Sequence, residues 1–316
     1  MLDKFGREID YLRISVTDRC DFRCTYCMPE AGVCKQSHLD ILSFEEIEEI
    51  ARAAVSLGIK KIRVTGGEPL VRQGIVRLCA ALAAIPGVLD LSLTTNAALL
   101  ADKAQALRDA GVCRVNISLD TLNAAKFRQI TRCGELSDTL SGIRAAVLCG
   151  MDVKLNCVLI GGVNDDEIPD FVELSRHYPF EVRFIELMPI GGAAYFGEEA
   201  FLPCSVVPKR MPELRPAERT DGVARLFALP RAAGTVGLIS PLSDRFCACC
   251  NRIRLTSDGK LKPCLHSSEE IPVRGLHGEA LLAALRTAIM HKPAQHIELS
   301  GTEASEAGRS MNQIGG

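Results

Sequence analysis

Tyr11-Leu12-Arg13-Ile14-Ser15-Val16-Thr17-Asp18-Arg19-Cys20-Asp21-Phe22-Arg23-Cys24-Thr25-Tyr26-Cys27 reads as a strand that runs into a cysteine loop. Leu12, Ile14 and Val16 alternate with Arg13, Ser15 and Thr17, the period of a β-strand with one apolar face. Cys20, Cys24 and Cys27 follow at CxxxCxxC spacing, separated by the polar Asp21, Arg23 and Thr25, so the loop does not read as buried core. Three thiolates on one loop can hold a metal cluster and leave one metal position open. A structural zinc is ordinarily closed by four ligands, whereas an iron-sulfur cluster with fewer protein thiolates keeps an iron free for a small molecule.

The same alternation recurs outward from this stretch. Strands are expected at 11–17, 61–66, 89–95, 113–119, 152–160 and 182–188. Ser43-Phe44-Glu45-Glu46 reads as a capping box opening a helix that ends at Gly58, and further helices fit 72–85, 99–110, 137–149 and 166–177. Helices between successive strands predict an α/β fold with a parallel sheet; six βα repeats, short of the eight of a full barrel, predict a partial, open TIM-type barrel. On one face stand Arg13, Ser15, Arg63, Thr65, Ser92, Thr94, Asn116, Ser118, Lys154 and Asn156, opposite the apolar residues. With the apolar face under the helices, the other face is a polar, cationic interior suited to an anionic ligand. An antiparallel sheet with one wet face is the alternative, and the intervening helices argue against it. In the sixth strand Arg183 and Met188 have opposite parity, so placing both inward requires a bulge or a strand end between them.

Composition bounds the rest. The 316 residues, 47% hydrophobic and 24% charged, suit one large α/β unit with an extension. A net charge of -2 and a pI near 6.3 argue against a broad nucleic-acid or membrane surface, and no apolar run approaches a membrane span. Fourteen cysteines behind a charged start without an apolar segment are expected of a reducing, cytoplasmic setting. Cys34, Cys79, Cys113, Cys133, Cys149, Cys157 and Cys204 lack ligand spacing and are expected to be packing residues.

A second constellation is Cys247, Cys250 and Cys264, a CxxC followed by thirteen residues and a third thiolate. Taken alone it favours a zinc knuckle completed by His266; beside the first set it favours a second three-thiolate cluster. Cys249 is left out, because adjacency to Cys250 makes simultaneous ligation awkward. Residues 252–264 are expected to form two short strands joined by Ser257-Asp258-Gly259. Arg252 and Arg254 then point to one side, suited to phosphate or to a solvated edge strand. Gly66-Gly67-Glu68-Pro69 ends the second strand on the rim of the cysteine loop, where glycines permit close backbone approach. Between 190 and about 277 prolines recur at 203, 208, 212 and 216 and no helix is evident. The terminal Gly315-Gly316 is, on physical grounds alone, a frayed end.

CxxxCxYC followed by Met28-Pro29, joined to Gly66-Gly67-Glu68-Pro69, resembles the signature of the radical S-adenosylmethionine (SAM) enzymes. Within them the chain resembles the GTP 3′,8-cyclases that open molybdenum cofactor biosynthesis. The likeness runs from Phe5-Gly6-Arg7 and Asp18-Arg19-Cys20 through Thr94-Thr95-Asn96, Ser118-Leu119-Asp120 and Arg183-Phe184-Ile185-Glu186. It continues through Asn251-Arg252-Ile253-Arg254-Leu255-Thr256 to Gly315-Gly316; the chain departs from the family pattern over 190–245, which is compact and lacks tryptophan.

The resemblance implies residues 1–208 as the barrel and 209–316 as an extension that closes it, carrying a second iron-sulfur cluster and the tail. It implies two [4Fe-4S] clusters, one on Cys20, Cys24 and Cys27 and one on Cys247, Cys250 and Cys264. SAM would sit on the first, near Tyr26, Gly67, Ser118 and Met188. The triphosphate of GTP would be held by Arg13, Arg63, Lys154, Arg183, Arg252 and Arg254, with Thr94 beside it and the guanine on the second cluster. Gly315 and Gly316 would enter the active site. The implied reaction is reductive SAM cleavage, removal of the 3′ hydrogen of GTP and attack of C3′ on C8, giving (8S)-3′,8-cyclo-7,8-dihydroguanosine 5′-triphosphate. Implied partners are a reductant protein, cyclic pyranopterin monophosphate synthase as product acceptor and a second copy in a homodimer, with no membrane and no nucleic acid. The rival readings are a peptide-modifying maturase and a zinc-stabilised nucleotide- or RNA-binding module.

Overall fold

In the computed structural model, which describes residues 1–33, 37, 40–217, 223–297, 299 and 305–315, the alternating run opens as β1 (Tyr11–Ser15). The capping box then starts α1 (Phe44–Ser56): Ser43 Oγ accepts from the Glu46 N–H at 3.1 Å, and the Glu46 carboxylate accepts from the Ser43 N–H at 2.6 Å. β2 (Lys61–Thr65), α2 (Ile75–Ala83), β3 (Asp90–Thr95), α3 (Ala104–Asp109) and β4 (Arg114–Ser118) follow. Next come α4 (Ala124–Thr131), α5 (Leu136–Leu148), β5 (Asp152–Leu159), α6 (Ile168–His177) and β6 (Glu181–Glu186).

Departures from the expected boundaries have local causes. A 3-10 turn over Pro69–Val71 delays α2 from 72 to Ile75. Successive turns, Leu100 N–H to Ala97 O at 3.1 Å and Lys103 N–H to Leu100 O at 2.9 Å, delay α3 from 99 to Ala104. Helix α4 was not expected, because its eight residues bury only Phe127, Ile130 and Thr131, too few to show a period. Its start is nonetheless capped, Asn123 Oδ1 accepting from the Ala125 and Lys126 N–H groups at 2.9 and 3.1 Å.

The region after β6 contains α7 (Val206–Arg210), β7 (Arg215–Pro216), β8 (Arg225–Ala228) and β9 (Thr235–Ile239). It continues through β10 (Arg252–Leu255), β11 (Lys260–Lys262), β12 (Ile271–Pro272), α8 (Gly278–Met290) and α9 (Met311–Ile314). All strands belong to one sheet ordered β12-β11-β10-β1-β2-β3-β4-β5-β6-β9-β8-β7. β1 to β6 are parallel neighbours, β10 lies parallel beside β1 and β9 parallel beside β6. Among the described residues the extension therefore lengthens both ends of the sheet and does not close it by strand pairing, with β12 and β7 at its edges. The β10–β11 hairpin turns where expected, with the Thr256 N–H on Lys260 O at 2.9 Å.

One face of the parallel strands is apolar and packs under the helices: Leu12, Ile14, Ile62, Val64, Leu93 and Val115 are wholly buried. Each such side chain contributes roughly 1.5–3 kcal/mol on burial. The other face curls into a cavity. Six strand spacings separate β10 from β6, about 29 Å in a flat sheet at about 4.8 Å each, yet Arg252 and Arg183 line the same cavity. Arg183 and Met188 both reach it because β6 ends at Glu186 between them.

Cys79, Cys157 and Cys204 are buried and Cys113 and Cys149 half-buried, as packing residues should be. Cys133 is exposed, correcting that expectation: it follows the last residue of α4 and Arg132 at φ +65°. Cys34 lies outside the described residues. Among the described residues no helix is long and apolar enough to cross a membrane.

Candidate active site

The first cysteine loop leaves the C-terminal end of β1 and is held from two sides. The Arg23 and Thr25 N–H groups donate to Thr131 and Ile130 carbonyls at the end of α4, both at 2.9 Å, and Arg132 Nη1 donates back to Arg23 O at 2.8 Å and Met28 O at 3.1 Å. Phe22 meets Phe127 edge to face at 5.8 Å. On the other side the Gly67 N–H donates to Thr17 O at 2.7 Å and the Glu68 N–H to Arg19 O at 2.8 Å. A Cβ on Gly67 would overlap the Arg19 carbonyl, so glycine is required here by backbone approach within the protein.

The Glu68 carboxylate does not face the cavity. It accepts from Thr95 Oγ1 at 2.8 Å and the Asn96 N–H at 2.7 Å, tying the rim of β3 to that of β2. Burial pushes it up to about 7 against these bonds.

The second cysteine set is assembled by a hairpin. Cys250 precedes β10 and Cys264 follows β11, and antiparallel pairing of Arg254 with Lys262 brings the two ends together. Arg7 secures Cys247, its Nη1 donating to Cys247 O at 2.8 Å and its Nη2 to Pro293 O at 2.8 Å, while the Asp3 carboxylate pairs with Arg7 at 2.6 Å. Lys292 Nζ donates to Arg252 O at 2.7 Å, Pro263 O at 2.9 Å and Cys250 Sγ at 3.6 Å. His266, the alternative fourth ligand, holds Ser305 Oγ at 3.0 Å through Nδ1 and packs on His296 at 4.7 Å between ring centroids. Cys249 is exposed.

The two sets differ electrostatically. Burial pushes Cys24 well above the ordinary thiol range and Cys27 up to about 11. Burial also pushes Cys250 up, but Lys292, Arg252 and Arg254 outweigh it and hold the thiol below its ordinary value. At the first set a bound cation would favour the thiolate form. The donor chemistry fits clusters at both places: soft sulfur ligands on loops facing a common space. Among the described residues no three His, Cys, Asp or Glu side chains converge on a single-ion position.

Between the sets lies a cavity of about 590 Å³. Because β10 is parallel to β1, Cys20, Cys24 and Cys27 stand beyond one end of these strands and Cys250 before the other. Arg13, Arg63, Arg183, Arg252 and Arg254 line the cavity, as do Thr94, Tyr26, Gly67, Ser118 and Met188. Burial first, then the neighbouring guanidiniums, hold Arg13 well below its ordinary value; burial likewise lowers Arg63 and Arg254 to about 10. Crowding buried cations is costly without an anion among them. Thr94 Oγ1, Asn156 Oδ1 and Arg252 Nε are buried without a hydrogen bond in the protein.

Lys154 is not among the lining residues. It sits on the cavity face of β5 but pairs with Glu181 at 2.7 Å, a carboxylate that Arg183 Nε also engages. Asn312 and Gly315 make specific contacts with the barrel and the hairpin, where physical grounds alone predict a frayed end. Asn312 Nδ2 donates to Asp18 O at 2.9 Å, and Arg254 Nη1 donates to Gly315 O. Gly315 has φ +85°, and a Cβ there would stand 2.8 Å from Thr65 Cγ2 and 3.1 Å from Ser15 Cβ. Gly316 lies outside the described residues.

Sequence reading missed Lys292, His296, Met311 and Asn312, all of which line the cavity. None carries a motif; only the parity of β1 could have drawn attention to Tyr11, which lines it too.

Residues 14–175 match the Radical SAM superfamily and residues 180–298 match Molybdenum Cofactor Synthesis C. The chain is 49% identical over 321 residues to the GTP 3′,8-cyclase of Alkaliphilus oremlandii, covering 100% of both chains. It is likewise 49% identical over 327 residues to that of Moorella thermoacetica, again covering 100% of both. Among solved structures it resembles Streptococcus suis SuiB bound to S-adenosylmethionine, with TM-score 0.63 and 14% identity over 90% of this chain and 65% of that one. Native anSMEcpe with bound AdoMet gives TM-score 0.57 and 14% identity over 89% of this chain and 82% of the other. These two likenesses concern the fold.

Proposed function

Because the chain belongs to the GTP 3′,8-cyclase family of radical SAM enzymes, we propose that it converts GTP to (8S)-3′,8-cyclo-7,8-dihydroguanosine 5′-triphosphate, the first step of molybdenum cofactor biosynthesis. The observation that carries the reading is one cavity with a three-cysteine set at each end and buried guanidiniums between. Cys20, Cys24 and Cys27 would hold one [4Fe-4S] cluster and Cys247, Cys250 and Cys264 the other. Bound there, the clusters and SAM would supply electron-transfer and radical chemistry directed at the 3′ hydrogen of GTP.

The chain's own residues position the reactants. Tyr26, Gly67, Ser118 and Met188 border SAM. Arg13, Arg63, Arg183, Arg252 and Arg254 neutralise and orient the triphosphate through planar, multidentate donors. Lys154 contributes from the cavity face of β5, its carboxylate partner Glu181 being shared with Arg183. Thr94 offers a free hydroxyl. Gly315, fixed by Arg254, brings the tail to the ends of β1 and β2, with Gly316 beyond it.

Residues 1–208 form the barrel part, counted as six βα units, and 209–316 the part that completes the cavity with the second cluster and the tail. A protein reductant and cyclic pyranopterin monophosphate synthase as product acceptor follow from the family's chemistry. A homodimer rests on the resemblance alone, and a cytoplasmic setting on the cysteine usage and charged start read from the sequence. Anaerobic incubation of the cluster-loaded protein with SAM, reductant and GTP tests the function. It should yield 5′-deoxyadenosine and cyclised nucleotide together; SAM cleavage with GTP left intact would count against it.

A further inference from the structure

Tyr11 stands at the end of the cavity remote from the first cysteine loop, as the opening residue of β1, paired with Arg252 of β10 on one side and Lys61 of β2 on the other. It is only 7% exposed, and it lines the cavity on the same face as Arg13. The Arg63 guanidinium lies over its ring at 5.3 Å and that of Arg252 at 5.7 Å. A buried tyrosine hydroxyl normally finds a partner, but the Tyr11 hydroxyl makes no hydrogen bond in the protein, and neither does Arg252 Nε beside it. The nearby carboxylates are engaged elsewhere: Asp90 with Arg114, and Asp10 with Lys61 at 3.0 Å and Asn251 at 2.7 Å.

We propose that Tyr11 is a substrate-binding residue whose phenolic O–H donates to a non-bridging phosphate oxygen of the nucleoside triphosphate, held between the Arg63 and Arg252 guanidiniums. The assignment rests on the reading of this cavity as a GTP site and deepens it. The surroundings choose the partner. Guanidiniums donate and cannot accept, so a group shared by Tyr11, Arg63 and Arg252 must be rich in acceptors and negatively charged. Both guanidiniums lie against the aromatic ring, so the hydroxyl and their in-plane N–H groups can meet the same anion. Burial pushes the phenol up, but Arg63, Arg13, Arg252 and Arg114 outweigh it and lower it below its ordinary value, which strengthens the O–H as a donor.

The test compares the cluster-loaded parent with Tyr11→Phe, which keeps the ring and its cation contacts. Both are titrated anaerobically with GTP and with inorganic tripolyphosphate as competitor. The variant should keep the parent's iron content and thermal transition and bind both ligands about tenfold more weakly, by the same factor. Equal affinities in the two proteins would overturn the assignment. Weaker GTP binding with unchanged tripolyphosphate binding would also overturn it, because the hydroxyl would then serve the nucleoside. A parent that itself fails to bind GTP removes the GTP reading and the assignment together, and that failure is visible without the variant.

Discussion

At the scale of residues, the proposed function divides the work between thiolates that would hold iron and guanidiniums that would hold phosphate. Replacing Cys20, Cys24 and Cys27 together with alanine should leave about half the iron, since the second set is untouched, and abolish SAM cleavage. Iron analysis beside assay of 5′-deoxyadenosine checks this; full iron with intact cleavage would contradict it. Arg252→Ala and Arg254→Ala should keep both clusters and weaken GTP by about tenfold or more each, a charge-assisted bond being worth roughly 1.5–3 kcal/mol. Arg254 has a second task, its bond to Gly315 O, so Arg254→Ala should lower product formation further than its loss of affinity explains. Arg254→Lys should not restore the parent, because lysine lacks the planar fork. The thiolates were legible from spacing and the arginines from strand parity. Lys292 was not, because it reaches Cys250 from two residues beyond α8 and its neighbour across that contact is 42 residues away in sequence.

Among the elements, the strands of the parallel sheet were legible because each alternates apolar and polar side chains. The helix α4 was not, being short, yet its end carries the hydrogen bonds that shape the first cysteine loop. β7 to β9 were hidden for a different reason: their strands are short, and β9 interrupts its apolar run with Gly237. The tail is where physical expectation and structure part most. Arg309 pairs with Asp258 at 2.8 Å and with Glu270, which Lys260 also holds at 3.0 Å, and so anchors the segment before α9 to the β10–β11 turn. Met188, Leu265 and Met311 pack on the buried Ile190, Ala307 and Ile314, joining the tail to the loops that carry both ends of the site. Deleting Gly315 and Gly316 should leave iron content, thermal stability and SAM cleavage near parent levels and remove cyclised product. Arg309→Met should move the same readout in the same direction, less completely, since Asn312 still holds Asp18. Parent-rate cyclisation by the truncated protein would show the tail to be dispensable.

At the scale of the whole molecule, one continuous sheet makes the site possible. β10 beside β1 puts the second cysteine set before the strands whose far ends carry the first, and the curl of the sheet turns the polar face into a cavity between them. That β10 joins β1 was beyond sequence reading, since pairing across some 240 residues leaves no local periodicity. A five-residue strand spans roughly 17 Å, enough to keep two clusters apart while a nucleotide bridges the distance. The central claim is that a radical generated at one end acts on the ribose of a nucleotide held from the other. The most direct measurement is anaerobic turnover of GTP deuterated at C3′, with mass analysis of the 5′-deoxyadenosine formed. The account predicts one deuterium in the 5′-deoxyadenosine, accompanied by cyclised nucleotide. Unlabelled 5′-deoxyadenosine alongside cyclised product, or label appearing only from another position of GTP, would contradict it.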